Sequence, residues 1–224
     1  MSERHTSKPA YKPKSPQLSG DFFMPETIKD TPEERSIVIT GGPSTGKTTV
    51  IKHLKKTRPD LEYIDEAATM VLSSGFPMPS EERPWSQTWQ NALQIAVAGM
   101  QLGLEATARE YTSTPIIQDR GLLDGASYLQ GGVDEFEELI GMERRDILSR
   151  YHTVIYLGWL TARNYADNNN PQRFEDEYRA QRLSEKVRLC WEGHPRLIEI
   201  TNQNGRASTV SNLLPGLIGK NNEA

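Results

Sequence analysis

Between residues 35 and 218, short apolar runs alternate with longer stretches whose apolar positions recur every three or four residues. The short runs read as strands at 36–40, 61–65 (Leu-Glu-Tyr-Ile-Asp), 115–119 (Pro-Ile-Ile-Gln-Asp), 153–158 (Thr-Val-Ile-Tyr-Leu-Gly) and 197–201 (Leu-Ile-Glu-Ile-Thr). Several are mostly apolar rather than alternating, the pattern of strands covered on both faces. The longer periodicity predicts helices at 47–57, 66–74, 86–110, 121–130, 134–150, 175–191 and 207–218. Strand and helix in turn imply an α/β fold, a three-layer α/β/α domain around a five-stranded parallel sheet with right-handed crossovers.

The longest predicted helix, 86–110, carries two stripes. Trp89, Leu93, Ala96, Met100, Leu104 and Ala108 form an apolar one, with Gln87, Gln90, Gln94, Gln101 and Glu105 beside it. For Gln101 and Glu105 the expectation is a solvated face. Gln87 and Gln90 follow the loop Pro84-Trp85-Ser86. Amides beside aromatic rings there would read a base or ring edge by paired hydrogen bonds, which makes both candidate substrate residues.

Outside this domain the pattern fails. Residues 1–34 hold Pro9, Pro13, Pro16, Pro25 and Pro32 with few apolar positions, and are expected to form a disordered tail. Residues 219–224 read as a frayed C-terminal tail. That leaves 35–218 as one domain.

The first strand runs into Gly41-Gly42-Pro43-Ser44-Thr45-Gly46-Lys47-Thr48, with Thr49 following. This is G-x-x-x-x-G-K-T, the phosphate-binding P-loop or Walker A pattern. Glycines let the backbone wrap an anion, Lys47 reaches the β- and γ-phosphates, and the Thr48 hydroxyl serves Mg²⁺. The following helix offers its free N–H groups to the same anion. Residues 41–49 are therefore the expected nucleotide-binding segment, for ATP or alternatively GTP.

A P-loop leaves open what becomes of the γ-phosphate. Open α/β sheets bind ligands beyond their strand carboxyl ends, where Asp65-Glu66 and Asp119-Arg120 fall. Glu66 is assigned as the base that orients the attacking hydroxyl, and Asp119 as the Mg²⁺ carboxylate. The reverse assignment is nearly as good, and Asp65 would substitute for Glu66. Arg120 suits bidentate contact with a phosphate or sugar oxygen, or an ion pair fixing Asp119 or Asp124. After the fourth strand an Asn-rich loop carries Arg163 and Arg173, expected to close over the phosphates as a lid, with Arg179 and Arg182 behind them.

Composition narrows the chemistry further. The net charge of −4 disfavours a nucleic-acid-coating protein. A single cysteine, Cys190, excludes an internal disulfide, and four scattered histidines give no transition-metal spacing. With no apolar run near the roughly 20 residues needed to span a bilayer and no signal-peptide core, no membrane role is expected and the expected location is cytoplasmic.

Thr40 through Thr49, an acidic residue closing the second strand, and Asp119-Arg120-Gly121-Leu122-Leu123-Asp124 together resemble a family of P-loop AAA-type ATPases and kinases. That family includes the ribosylnicotinamide kinase domain of bacterial NAD-biosynthesis regulators, with deoxynucleoside and thymidylate kinases more distant. Asn169-Asn170-Pro171-Gln172-Arg173, Gly193-His194-Pro195 and Asn202 are similar too. The resemblance implies a nucleoside/nucleotide-kinase-like P-loop NTPase with strand order 2-3-1-4-5, using ATP or GTP with Mg²⁺. Two activities remain open at this stage. One is a small-molecule kinase passing the γ-phosphate to a nucleoside-like hydroxyl. The other is an NTP-dependent switch acting on a protein partner, and a homodimer also stays open.

Overall fold

The computed structural model describes residues 36–160, 177–202 and 204–218. Within them β1 (Ser36–Thr40), β2 (Glu62–Ile64), β3 (Ile116–Asp119), β4 (Thr153–Leu157) and β5 (Leu197–Ile200) form one sheet in the order β2-β3-β1-β4-β5. Every pairing is parallel. Both the parallel sheet and its order agree with expectation. The tails at 1–34 and 219–224, and the lid candidates Arg163 and Arg173, lie outside the described residues.

Helices cover both faces of this sheet: α1 (Lys47–Thr57), α2 (Ala67–Ser73), α3 (Gln87–Tyr111), α4 (Gly132–Ile140), α5 (Arg144–Ser149), α6 (Glu177–Cys190) and α7 (Arg206–Leu217). Strand alternation sorts the core into two layers. Ile37 and Ile39 of β1 and Ile155 and Leu157 of β4 pack with Val50, Leu54, Val210 and Leu214 of α1 and α7. Val38, Val154 and Tyr156 face the other way, into a cluster with Leu123, Phe136, Ile147 and Trp191. Two buried faces explain why the central strands read as apolar runs. Each fully buried Ile, Leu or Phe contributes about 1.5–3 kcal/mol relative to exposure. No helix among the described residues is long and apolar enough to cross a membrane.

Three expectations about helices need correction. Residues 121–130 form a 3₁₀ helix over Leu122–Tyr128 instead of an α-helix. Its first turn is tied down by the Asp124 carboxylate, which accepts from the Gly121 N–H at 2.8 Å. Residues 134–150 form two helices, because Gly141 ends α4 in the left-handed conformation (φ 70°) and returns its N–H to the Glu137 carbonyl at 2.8 Å.

The third correction concerns α3, where Gln101 and Glu105 are buried at 3% and 0% exposure instead of solvated. The Gln101 amide donates to Gln118 Oε1 of β3 at 2.7 Å, and Gln118 in turn donates to the Ser36 hydroxyl of β1. Glu105 accepts from Tyr151 Oη (2.8 Å), Arg150 (2.6 Å), Arg109 (3.2 Å) and Gln101 (3.2 Å). Periodicity reports polarity, and a polar stripe is buried wherever partners meet it. Met100, from the apolar stripe, is instead 37% exposed.

Candidate phosphate and acceptor site

The 41–46 loop joins the end of the central strand β1 to the start of α1. Lys47 is buried, and its ammonium donates to the carbonyls of Gly41 (2.8 Å) and Gly42 (2.6 Å). Thr45 Oγ1 donates to the Gly42 carbonyl at 2.9 Å. A Cβ on Gly42 would lie 2.5 Å from Ser184 Cβ, so α6 rests directly on the loop only because residue 42 is glycine. Ser184 is fixed by Tyr156 Oη at 2.8 Å. Thr48 and Thr49 are exposed on the first turn of α1, where unpaired N–H groups and the helix dipole favour an anion.

Asp119 ends β3 beside β1, in register with Ile39. Burial pushes its pKa up to about 6; the nearby negative Glu66 and Asp124 add to this, and Lys47 and Arg120 oppose it. Its Oδ1 is buried and has no hydrogen-bond partner among the described residues. A buried, unpartnered carboxylate oxygen near the P-loop lysine suits a hard cation, so Asp119 fits the Mg²⁺ role. No cluster of three or more His, Cys, Asp or Glu that would hold a metal occurs among the described residues. A cation held here would complete its coordination with phosphate oxygens and water.

Arg120 follows Asp119 in a left-handed conformation (φ 74°), rare for a residue with a side chain. Such strain costs about 1–3 kcal/mol and is offset here by a set of contacts. Its N–H donates to the Ile39 carbonyl at 3.1 Å. Its guanidinium donates to Glu66 Oε1 at 2.5 Å and the Gly41 carbonyl at 3.2 Å, with Asp124 Oδ1 at 3.5 Å. Glu66 also accepts from Thr69 Oγ1 at 2.6 Å, and the Thr40 hydroxyl donates to Asp124. Burial raises the Asp124 pKa, while Arg120 and the Thr40 bond oppose that rise. Asp65, by contrast, is exposed and pairs with Lys55 at 2.6 Å.

Glu66 and Arg120 stand at one end of a cavity of about 750 Å³ whose lining also includes Pro43 and Asp124. Its walls come from α2, the 74–86 segment, α3, the 3₁₀ helix and Phe136 of α4. Trp85, Trp89, Leu93 and Phe136 make most of it apolar, with a few polar groups set among them, as small-molecule sites have. The Trp85 indole N–H donates to Gln90 Oε1 at 3.3 Å, and that of Trp89 to the Pro77 carbonyl at 2.5 Å. Both bonds tie the 74–86 segment to α3.

Three glutamines of α3 line this cavity: Gln90, Gln94 and Gln101. The Gln94 side chain is buried yet makes no hydrogen bond to another described residue. Gly125 makes room for it, since a Cβ there would lie 2.7 Å from Gln94 Oε1 and 2.8 Å from the Phe136 ring. Gln87 is placed otherwise: its amide donates to Asn91 (2.7 Å) and Glu135 (3.3 Å), and it does not line the cavity. Arg179 and Arg182 are exposed on α6, Arg182 standing over the Tyr178 ring at 5.8 Å. Neither Gln94 nor Gln101 is among the site residues expected from sequence. Their three-and-four spacing from Gln90 was visible, but which side of α3 faces the cavity was not.

Comparison with known proteins agrees with this architecture. The structure of NadR protein in complex with NR superposes with a TM-score of 0.63 at 15% identity, over 86% of this chain and 54% of that one. The present chain thus spans about half the length of that structure. Thymidylate kinase from Candida albicans superposes with a TM-score of 0.52 at 15% identity, over 82% and 92% of the two chains. No curated protein matches. The fold is therefore that of P-loop nucleoside and nucleotide kinases. A family model described as an AAA domain matches residues 36–207, and the chain belongs to that family.

Proposed function

We propose that this protein is a small-molecule kinase that moves the γ-phosphate of ATP to a hydroxyl of a nucleoside-like acceptor. The observation that carries the reading is the shared edge of the two halves. Arg120 donates to the Gly41 carbonyl of the phosphate loop and to Glu66 of the cavity, so donor and acceptor would meet at one guanidinium. Residues 41–49 would hold the triphosphate, with Thr48 and Asp119 as the protein ligands of Mg²⁺. Bound Mg-ATP supplies the phosphoryl group and the metal's charge neutralisation. Lys47 and Arg120 would add positive charge where negative charge gathers on the transferring group. Glu66, its carboxylate oriented by Arg120 and Thr69, would accept the acceptor's hydroxyl proton. The apolar walls of the cavity would limit water at the reacting groups and favour transfer over hydrolysis.

The lining supports the acceptor class. Aromatic walls and the amides of Gln90 and Gln94 suit a flat heterocycle whose edge both donates and accepts hydrogen bonds. A chain 15% identical to this one was solved in complex with NR, which fits that class of ligand. The test is ADP formation with Mg-ATP across a nucleoside panel that includes nicotinamide riboside. At least one acceptor is expected to accelerate turnover strongly over the acceptor-free rate. Tight ATP binding with no acceleration by any acceptor would remove the kinase reading and favour a nucleotide-dependent switch.

A further inference from the structure

The phosphate loop is held at three carbonyls, and two of the holders, Arg120 and Arg206, lie far outside the motif. Lys47 and Arg120 bind the carbonyls of Gly41 and Gly42 from inside the site. The third carbonyl, that of Thr45, accepts from Arg206 at 2.7 Å across 161 residues of sequence. Arg206 opens α7 and is 6% exposed. The same Nη1 donates to the Gly158 carbonyl just beyond β4 at 2.6 Å, and Nε donates to the Asn202 carbonyl just beyond β5 at 2.8 Å. One guanidinium therefore fastens the phosphate loop to the ends of two strands.

The consequence for the loop is geometric. The Thr45–Gly46 peptide is trans, and in a planar trans peptide the N–H points opposite to the C=O. Drawing the Thr45 carbonyl toward Arg206 points the Gly46 N–H in the opposite direction within the peptide plane, away from that guanidinium. Backbone N–H groups converging in that way form an anion nest. We propose that Arg206 is a positioning residue for the phosphate cradle, holding the Thr45–Gly46 peptide so that the Gly46 N–H faces the bound triphosphate. The inference rests on the P-loop reading above and extends it to a residue that no motif contains. Arg206 touches no substrate in this account and acts only through Thr45. Lysine cannot replace it fully, because an ammonium lacks the fork that spans carbonyls in separate directions.

The experiment uses the full chain with Arg206→Met and Arg206→Lys. Calorimetry gives affinities for Mg-ATP, Mg-ADP and adenosine, and nitrogen-15 spectra of glycine-labelled protein follow the Gly46 amide. Arg206→Met is expected to weaken Mg-ATP roughly tenfold or more, Mg-ADP less, and adenosine little. The nucleotide-induced downfield shift of the Gly46 amide should shrink in step, and Arg206→Lys should fall between the two. Wild-type ATP affinity in Arg206→Met, or an equal loss for all three ligands, would overturn the proposal and leave a purely structural brace. If Arg206→Met does not fold, Arg206→Lys carries the test: an unchanged Gly46 shift with unchanged ATP affinity would overturn it. Failure of the wild type to bind ATP would instead sink the P-loop reading, a distinct result.

Discussion

The two halves of the candidate site are built in opposite ways. The phosphate half is a contiguous stretch of chain whose backbone does the binding, steadied by a few cations. The acceptor half draws side chains from α2, the 74–86 segment, α3, the 3₁₀ helix and α4. Backbone N–H groups are present at every residue but proline, so the phosphate half needs glycines and a turn more than particular side chains. A cavity that selects a ring needs particular side chains, and their placement depends on how whole helices pack. Damage to the first half should therefore act through the phosphates whatever the acceptor, and damage to the second should act by acceptor.

The largest expected effect would break the phosphate half. Lys47→Ala should lower phosphate-transfer turnover by a factor of about 10² or more, since one cationic clamp on the transferring group is worth several kcal/mol. Steady-state ADP production checks it, and retained turnover would mean the site lies elsewhere. Next is the buried polar cluster that holds α3, the helix carrying the glutamines of the acceptor half. Glu105→Ala should destabilise the fold by about 3–5 kcal/mol in urea unfolding, because it strands Arg150 and Arg109 without their shared buried carboxylate. A loss under about 1 kcal/mol would return Glu105 to the solvated face that its sequence context suggested.

Asp119 offers a pH-dependent test on the boundary between the halves. Its folded pKa is raised to about 6 from 3.8, so the fold favours the protonated form. Its stabilising contribution is complete below the unfolded pKa and is lost as pH rises through about 6. Asp119→Asn should accordingly raise stability at pH 7.5 by about 1–3 kcal/mol, with about half that gain at pH 5, while Mg²⁺-dependent turnover falls. Thermal melts at the two pH values decide it; an equal gain at both would show that charge burial is not the cause. The smallest expected effect sharpens the comparison most. Gln94→Leu should raise the acceptor KM by roughly tenfold and leave Mg-ATP affinity unchanged, since only the cavity loses a hydrogen-bonding group. A parallel change in ATP affinity would mean the two halves are not separable.

How much was legible follows the same division. Residues 41–48 announced themselves because phosphate binding needs a local backbone shape that few residue types can supply. Glu66 and Asp119-Arg120 were expected by position, since ligands gather beyond strand carboxyl ends, and the structure brings Glu66 and Arg120 into contact. Asp65 and Glu66 were not separable from sequence; the chain turns between them, so one pairs with Lys55 outside and the other meets Arg120. Gln101 and Glu105 were misread because a helical wheel ranks faces by polarity. Here Arg150 and Tyr151 from one segment and Gln118 from another arrive to satisfy the polar side, which no local pattern reveals. The break at Gly141 was overlooked although glycine is the usual helix terminator.

By itself the sequence determined the alternation of strand and helix, the parallel sheet and the phosphate loop, because each depends on residues adjacent along the chain. Periodicity and backbone geometry are local, and they survive without knowledge of the neighbours. Tertiary structure alone decided which face of α3 looks into the cavity, which acidic residue reaches Arg120, and that Arg206 grips the Thr45 carbonyl from 161 positions away. Those facts depend on distances of a few ångströms between segments far apart in sequence. Such distances are set by packing of the two core layers against the sheet.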